Sequence, residues 1–462
     1  MTGFWTLSRL TQALEPELAG ARPRGDTPLG RISTDTRQVA AGDVFVALVG
    51  ERFDGHDFVH EAVSRGAVAV VVADGARAAG TLVPAFVVHD TTRALGVLGR
   101  YRRRAWGGPV VAVAGSNGKT STKELIAAAL GACYDVHATH GNLNNQVGVP
   151  LTLLAIPDGA QVAVIEVGTS HPGEVAALRA VVEPDVAVVT SIGEEHLEGL
   201  GDLDGVLREE CAIFEGVRRG IAPAGQPEVG REARARGTHV TEAGLDAGDV
   251  RPDRWGVGED GRGWFVLGDV TFTLPLLGAH NVRNALLAVA VARCCGVRDA
   301  DAARGIAEMP ALHMRSSLQA LGTLLLLNDA YNANPASARE ALALLDAVGG
   351  DRSRVAVLGS MLELGTRSAA LHDEIARRAL ASRAQVIAGV GEFAAAFARV
   401  APGDPRVLTA EDAEALWPSL APRLVPDAVV LLKGSRGTRL ERLLPSLRRF
   451  AGLPDDAGSA AH

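Results

Sequence analysis

Long apolar runs are missing from these 462 residues, and with them any stretch near the roughly 20 residues a membrane helix needs. Cysteine is scarce too. Cys133, Cys211, Cys294 and Cys295 show neither a disulfide framework nor a C-x-x-C pair, which points to a reduced interior. Basic residues are outnumbered, 46 Lys and Arg against 54 Asp and Glu, so the net charge of −8 argues against a nucleic-acid partner. The one dense basic block, "YRRRAW" at 101–106, is too short for a nucleic-acid footprint and reads as a solvated helix end beside a linker. The start, "MTGFWTLSRLTQALEP", lacks the basic-then-apolar pattern of a secretory signal, and no repeat at solenoid spacing occurs. The expectation is a cytoplasmic protein without a membrane span.

What is present supports real cores. Hydrophobic residues make up 47%, and the length suggests two to four domains. Residues 1–105 alternate short strands ("GDVFVALVG", 42–50; "GAVAVVV", 66–72) with helical patches such as "FVHEAVSRG" (58–66), as in a small α/β domain. "AWGGPV" (105–110) breaks the pattern and marks a boundary. Residues 106–312 read as an α/β domain around a mainly parallel sheet, with buried strands "VVAVAG" (110–115), "VAVIEVG" (162–168) and "DVAVVTS" (185–191). A Gly/Pro/Arg-rich stretch at 220–237 reads as a mobile loop, and "GWFVLGDVTFTLPL" as a hairpin turning at Gly268-Asp269. Residues 313–462 form a further βαβ series with strands at 323–329, 354–360, 384–391 and 428–435 and a frayed tail from 454.

The chemistry centres on "VAVAGSNGKTSTKE" (111–124). Its spacing is G-x-x-G-K-T, shorter than the standard G-x-x-x-x-G-K-[ST] loop. Gly115, Ser116, Asn117, Gly118 and Lys119 sit where a strand hands over to a helix, so unsatisfied N–H groups and the helix dipole favour phosphate. Lys119 can neutralise outer phosphates; Thr120, followed by Ser121, offers a hydroxyl to Mg²⁺. Glu166 ends the next strand, where ligands collect in open α/β sheets, and "SIGEEHLEGLG" (191–201) brings His196 to the same edge. "HGNLNNQVGVP" (140–150) offers the amides of Asn144 and Asn145, although such loops are often only turns. Asn281 and Asn284, one turn apart, either cap their helix or face an adenine.

Taken in order, the short loop, the strand-end Glu, the His of "EEHLEG" and the H-N-x-x-N helix start resemble the Mur ligase superfamily. Further stretches extend the likeness end to end: "STDTRQVAAGDVFVALVGERFDGHDFV" (33–59), "NNQVGVPLTLL" (144–154), "GTSHPGEV" (168–175), "NDAYNANPASARE" (328–340), "VLGSMLELG" (357–365) and "LKGSRGTRLE" (432–441). "NDAYNANP" and "MLELG" resemble the branch that adds D-alanyl-D-alanine to UDP-N-acetylmuramoyl-tripeptide. The resemblance implies three α/β domains: an N-terminal UDP-sugar domain, a central P-loop ATPase domain and a Rossmann-like C-terminal domain. It also implies a monomer using ATP and Mg²⁺ through an acyl phosphate. By the same resemblance Thr120 and Glu166 hold one Mg²⁺ and His196 a second. Asn281, Asn284, Arg315 and Asp329 would meet the nucleotide, and Ser33, Thr34 and Arg37 the UDP-sugar. Tyr331, Asn332 and Asn334 would contribute to the peptide site.

One position departs from the family. Where a carbamylated lysine usually supports the second metal, this chain has Glu210, within "REECAIF". Glu210 is expected to replace the carbamate, through water on the metal or a local shift of the helix; the other reading is that the position has dropped its metal role. Rival functions are the ligase adding the third peptide residue, whose Asp-Asn-Pro-Arg motif is absent, and a folylpolyglutamate synthase-like ligase, which would lack residues like 1–105. A non-catalytic nucleotide-binding paralogue is opposed by the intact Lys119, Thr120, Glu166 and His196.

Overall fold

The computed structural model of the chain describes residues 3–50, 52–310 and 317–454. Arg315, the expected domain boundary at 312 and the tail from 455 fall outside them. Two compact units form. One holds the chain up to Val113 with Tyr134–Thr169 and Glu174–Val186; the other holds Ala114–Cys133, Ser170–Gly173 and everything from Ala187 onward.

The N-terminal sheet has four parallel strands in the order Ile32–Ser33, Val44–Val46, Ala69–Val72, Ala85–Val87. Alternate residues feed two cores. Val44, Val46 and Val71 face the helices Leu7–Leu14 and Thr91–Trp106, while Phe45, Val70 and Val72 pack with Val59 and Ala62. A sheet covered on both faces needs continuously apolar strands, which is why "AVVV" at 69–72 is legible as one.

The basic block at 101–106 departs from its expected solvation. Arg102 and Arg103 are buried at the end of the helix Thr91–Trp106. Arg103 donates to the carbonyls of Val182 (3.0 Å), Glu183 (3.0 Å) and Gly108 (3.2 Å) and to Asp185 Oδ2 (2.9 Å). Its guanidinium thus takes up acceptors at the end of the helix Glu174–Val182. Arg102 donates to Ile156 O and Asp158 Oδ1, both at 2.7 Å, and stacks on the Phe4 ring. Composition alone misled here, because every acceptor of these arginines named above except Gly108 O lies 54–82 residues away. The helix itself stops where Gly107 turns left-handed at φ 73°.

The central sheet has six strands, in the order His239–Ala243, Arg219–Pro223, Val186–Val189, Val110–Ala114, Val162–Glu166, Val136–Ala138. Its registered pairs are parallel. The stretch 220–237 is not a mobile loop: it supplies the strand Arg219–Pro223 and the helix Pro227–Ala235. Ile221, Ala222, Val229 and Ala233 are buried there, and Pro227 sits in the helix's first turn, where its missing N–H costs nothing. The expected hairpin forms between Arg262–Leu267 and Val270–Leu277, turning at Gly268-Asp269 with Gly268 at φ 55°. Phe265 and Phe272, paired across it, stack at 4.5 Å.

The C-terminal sheet runs Ser317–Leu321, Leu324–Asp329, Val429–Lys433, Arg354–Leu358, Val386–Val390, Val407–Ala410. All pairs are parallel except the first, a hairpin. Apolar cores lie on both faces, and the expected strands at 323–329, 354–360, 384–391 and 428–435 are all present.

Candidate active site

The strand Val110–Ala114 is wholly buried, and four residues separate it from the helix Lys119–Gly131. Between them the backbone makes two left-handed turns, Gly115 at φ 120° and Gly118 at φ 82°. Neither position has room for a side chain. A Cβ at Gly115 would meet Thr190 Oγ1 at 2.4 Å, and one at Gly118 would meet Asn284 Oδ1 at 2.7 Å. Gly118 caps the helix without a side-chain acceptor, so no N-cap side chain competes for the first-turn N–H groups.

Residues 190–193 hold this loop in shape. Ser116 N donates to Ser191 O (2.7 Å), and Asn117 N to Ser191 Oγ (3.1 Å). Thr190 Oγ1 donates to Asn117 O (2.6 Å), and Gly193 N to Ser116 Oγ (2.9 Å). Lys119 Nζ folds back onto Gly115 O at 2.5 Å and lies 3.8 Å from Glu195 Oε1. Thr120 and Ser121 are buried on the first turn.

Behind the loop stand two buried acids. Glu210, with no exposed surface, accepts the Gly115 N–H through Oε2 at 2.7 Å. Its Oε1 and the Oε1 of Glu195 are buried without a hydrogen-bond partner. Burial pushes both carboxyls above the usual range, against the pull of the Lys119 charge.

His196 sits just beyond, at φ 50°, heading the short helix Leu197–Leu200. Its Nδ1 meets the Glu363 carboxylate, and its Nε2 lies 3.9 Å from Glu195 Oε2. Burial works against the imidazolium, but the Glu363 hydrogen bond and the neighbouring carboxylates outweigh it and raise the pKa. Asn334 caps the helix Pro335–Ala347 in a capping box with Ser337 and donates to Asn117 Oδ1 at 2.8 Å. Asn281 donates to Leu277 O and Asn284 to Asn281 Oδ1, so the two amides form a buried chain ending against Gly118. Asp329 accepts from the buried Lys433 Nζ at 2.6 Å, and the same ammonium donates to Asn332 O. Tyr331 is half-buried beside them.

In the other unit Glu166, 1% exposed, ends its strand and accepts from Asn144 Nδ2 at 2.8 Å. Asn145 Oδ1 takes the Val147 and Gly148 N–H groups at the start of the helix Gly148–Leu154, the turn role its composition suggested. Ser33 bonds both backbone groups of Asp35. Thr34 is half-buried, and Arg37 is exposed and clamped on the Asp35 carboxylate. The hydrogen bond from Arg37 holds Asp35 below the usual carboxylate range.

Glu195, Glu363 and Lys433 were assigned no role from sequence. Lys433 had a visible signal: it ends a strand whose register partner is Asp329. Among the described residues no group of three or more His, Cys, Asp and Glu side chains gathers tightly enough to hold a metal unaided. Mg²⁺ usually takes one or two carboxylates and completes its shell with water and substrate phosphates, so a sparse set of hydroxyl, carboxylate and imidazole donors with orphaned carboxylate oxygens suits it.

A glycine-lined loop of this kind, at a buried strand's end and backed by buried acids, defines a nucleotide-using α/β enzyme. The comparisons are more specific. Residues 29–103 match the Mur ligase family catalytic domain, 113–292 the Mur ligase middle domain, and 315–436 the Mur ligase glutamate ligase domain. The chain belongs to the Mur ligase family. It is 33% identical to the UDP-N-acetylmuramoyl-tripeptide–D-alanyl-D-alanine ligase of Bacillus subtilis, over 96% of this chain and 98% of that one. The Escherichia coli enzyme of the same name is 35% identical, with the same coverage. Among solved structures, MurF of Acinetobacter baumannii superposes with a TM-score of 0.88 at 32% identity, covering 96% of this chain and 99% of that one. MurF of Thermotoga maritima in complex with ADP gives 0.81 at 27% identity, covering 91% and 98%.

Proposed function

We propose that this chain joins D-alanyl-D-alanine to the terminal carboxylate of UDP-N-acetylmuramoyl-tripeptide at the expense of ATP, as a cytoplasmic monomer in peptidoglycan precursor synthesis. The observation that carries the nucleotide half is the helix start at Gly118, free of a side-chain cap and with Lys119 folded beside it. The acceptor half rests on full-length likeness to ligases whose names state that reaction.

The residues of the loop support the following course. ATP phosphates lie against the first-turn N–H groups, and Lys119 swings from Gly115 O to the outer phosphates, where positioning and electrostatics do most of the catalysis. An oxygen of the tripeptide carboxylate attacks the γ-phosphorus and ADP leaves, giving an acyl phosphate. The amine of D-alanyl-D-alanine attacks the acyl carbon and gives up a proton. Phosphate then departs from the tetrahedral intermediate, taking one of the original carboxylate oxygens with it. Mg²⁺ would supply charge neutralisation on the phosphates, and by the family resemblance Thr120 and Glu166 would hold one ion and His196 a second.

Asn281 and Asn284 shape the adenine end, and Asp329 reaches the nucleotide from the C-terminal domain. Ser33, Thr34 and Arg37 face the UDP-sugar, while Asn144, Asn145, Tyr331, Asn332 and Asn334 serve the peptide. By the family resemblance Glu210 takes the place of a carbamylated lysine, and its Oε1, buried without a hydrogen-bond partner, would serve the second ion through water or a local shift of the helix.

Tripeptide labelled with ¹⁸O in its terminal carboxylate tests the acyl phosphate. One labelled oxygen should appear in the released phosphate; unlabelled phosphate would rule the route out.

A further inference from the structure

His196 and Glu363 meet across 167 residues of sequence. The backbone strengthens the meeting: Glu198 N donates to Glu363 O at 3.3 Å. Leu197 and Leu200 share one apolar core with Met361 and Leu364, so both flanking segments are anchored. Both residues also hold the left-handed conformation, His196 at φ 50° and Glu363 at φ 62°. Among the described residues only two other non-glycines have positive φ. A left-handed backbone is unfavourable for His and Glu alike and persists where surrounding structure imposes it, which is most often at working sites.

We propose that Glu363 is the positioning residue for His196, fixing its ring orientation and tautomer so that Nε2 is the nitrogen offered to the second metal ion. An imidazole that gives its Nδ1–H to a carboxylate keeps its lone pair on Nε2. Metal-binding histidines are commonly held in this way. Here Nε2 lies 3.9 Å from Glu195 Oε2, beyond hydrogen-bond reach. Glu363 belongs to the segment matched by the C-terminal family domain and His196 to the middle one. The imidazole is therefore set only while the Glu363 turn is seated against the Leu197–Leu200 helix, which ties the second ion to the docking of the C-terminal segment. This inference rests on the reading of His196 as a metal holder.

The test uses the full chain with His196→Ala, Glu363→Gln and Glu363→Asp. In the metal-free protein labelled with ¹⁵N-histidine, at a pH high enough for the ring to be neutral, the His196 resonances, identified by their loss in His196→Ala, should report an Nδ1–H tautomer. Glu363→Gln should shift them and Glu363→Asp should largely restore them. With a non-hydrolysable ATP analogue bound, Mn²⁺ titration by electron paramagnetic resonance should weaken about 10–100-fold in Glu363→Gln, the usual cost of losing such a carboxylate. His196→Ala should weaken it at least as much. If His196→Ala weakens Mn²⁺ binding but Glu363→Gln alters neither the resonances nor the titration, the positioning role is overturned and the metal reading stands. If His196→Ala leaves Mn²⁺ binding unchanged, both are overturned.

Discussion

The Gly115 N–H donates to Glu210 Oε2 across 2.7 Å, so a side chain 95 residues away fixes the first amide of the phosphate loop. Glu210 is thereby tied directly to the phosphate loop. The geometry accounts for one carboxylate oxygen and leaves the other, Oε1, without a hydrogen-bond partner.

Glu210→Ala should therefore do two things. Leaving a buried donor unpaired costs about 1–3 kcal/mol, and the loosened loop should raise KM for ATP. Mass spectrometry of the wild-type chain should find no carbamate adduct, and depletion of bicarbonate should leave its activity unchanged. Full activity in Glu210→Ala would remove any role for this residue.

Lys119→Ala should lower kcat by about 10²–10³-fold, the usual cost of removing one donor from a charge-stabilising site. Lys119 bonds the loop's own Gly115 carbonyl and approaches Glu195 at 3.8 Å, both within the site itself, so far-ultraviolet circular dichroism and the thermal midpoint should change less than activity. An equal fall in stability and activity would recast Lys119 as structural.

Much of this site was legible before any coordinates. Gly115, Gly118 and Lys119 announce a phosphate cradle because their chemistry is local: two left-handed turns and a helix start within five residues. Strands of the N-terminal and C-terminal sheets were legible because both faces of those sheets are covered, which writes burial into consecutive residues such as "VVLLK". What stayed hidden was long-range. Nothing near Arg103 says that it takes acceptors 79–82 residues on, and nothing near Glu363 announces His196. The stretch 220–237 misled because glycine, proline and arginine punctuate a short strand and helix as readily as a loop. The Asn144–Glu166 hydrogen bond was likewise invisible, although both residues had been singled out.

Arg103→Met should destabilise the chain by about 3 kcal/mol, since three carbonyls and Asp185 lose a buried partner together. Arg103→Lys should not restore it, because an ammonium cannot reproduce the fork. Urea unfolding of the three proteins checks both statements.

His372 gives the C-terminal domain a pH dependence of defined sign. It is fully buried, accepts the Met361 N–H at Nε2 (2.9 Å) and faces Ser368 O with Nδ1 (2.8 Å). Burial lowers its pKa from the ordinary 6.5. With the folded value depressed, the unfolded chain binds more protons in that window. Its contribution is thus complete above 6.5 and is lost as the pH falls through the folded value. His372→Gln should flatten the stability profile between pH 7 and 5, roughly the window in which histidine titrates; an unchanged profile would assign the acid sensitivity elsewhere.

The central claim is the reaction itself, and phosphate release measures it most directly. With ATP and Mg²⁺ present, release should require UDP-N-acetylmuramoyl-tripeptide and D-alanyl-D-alanine together and should be near background with either alone. Release driven by UDP-N-acetylmuramoyl-dipeptide and a single amino acid, or none with the full set, would contradict the account.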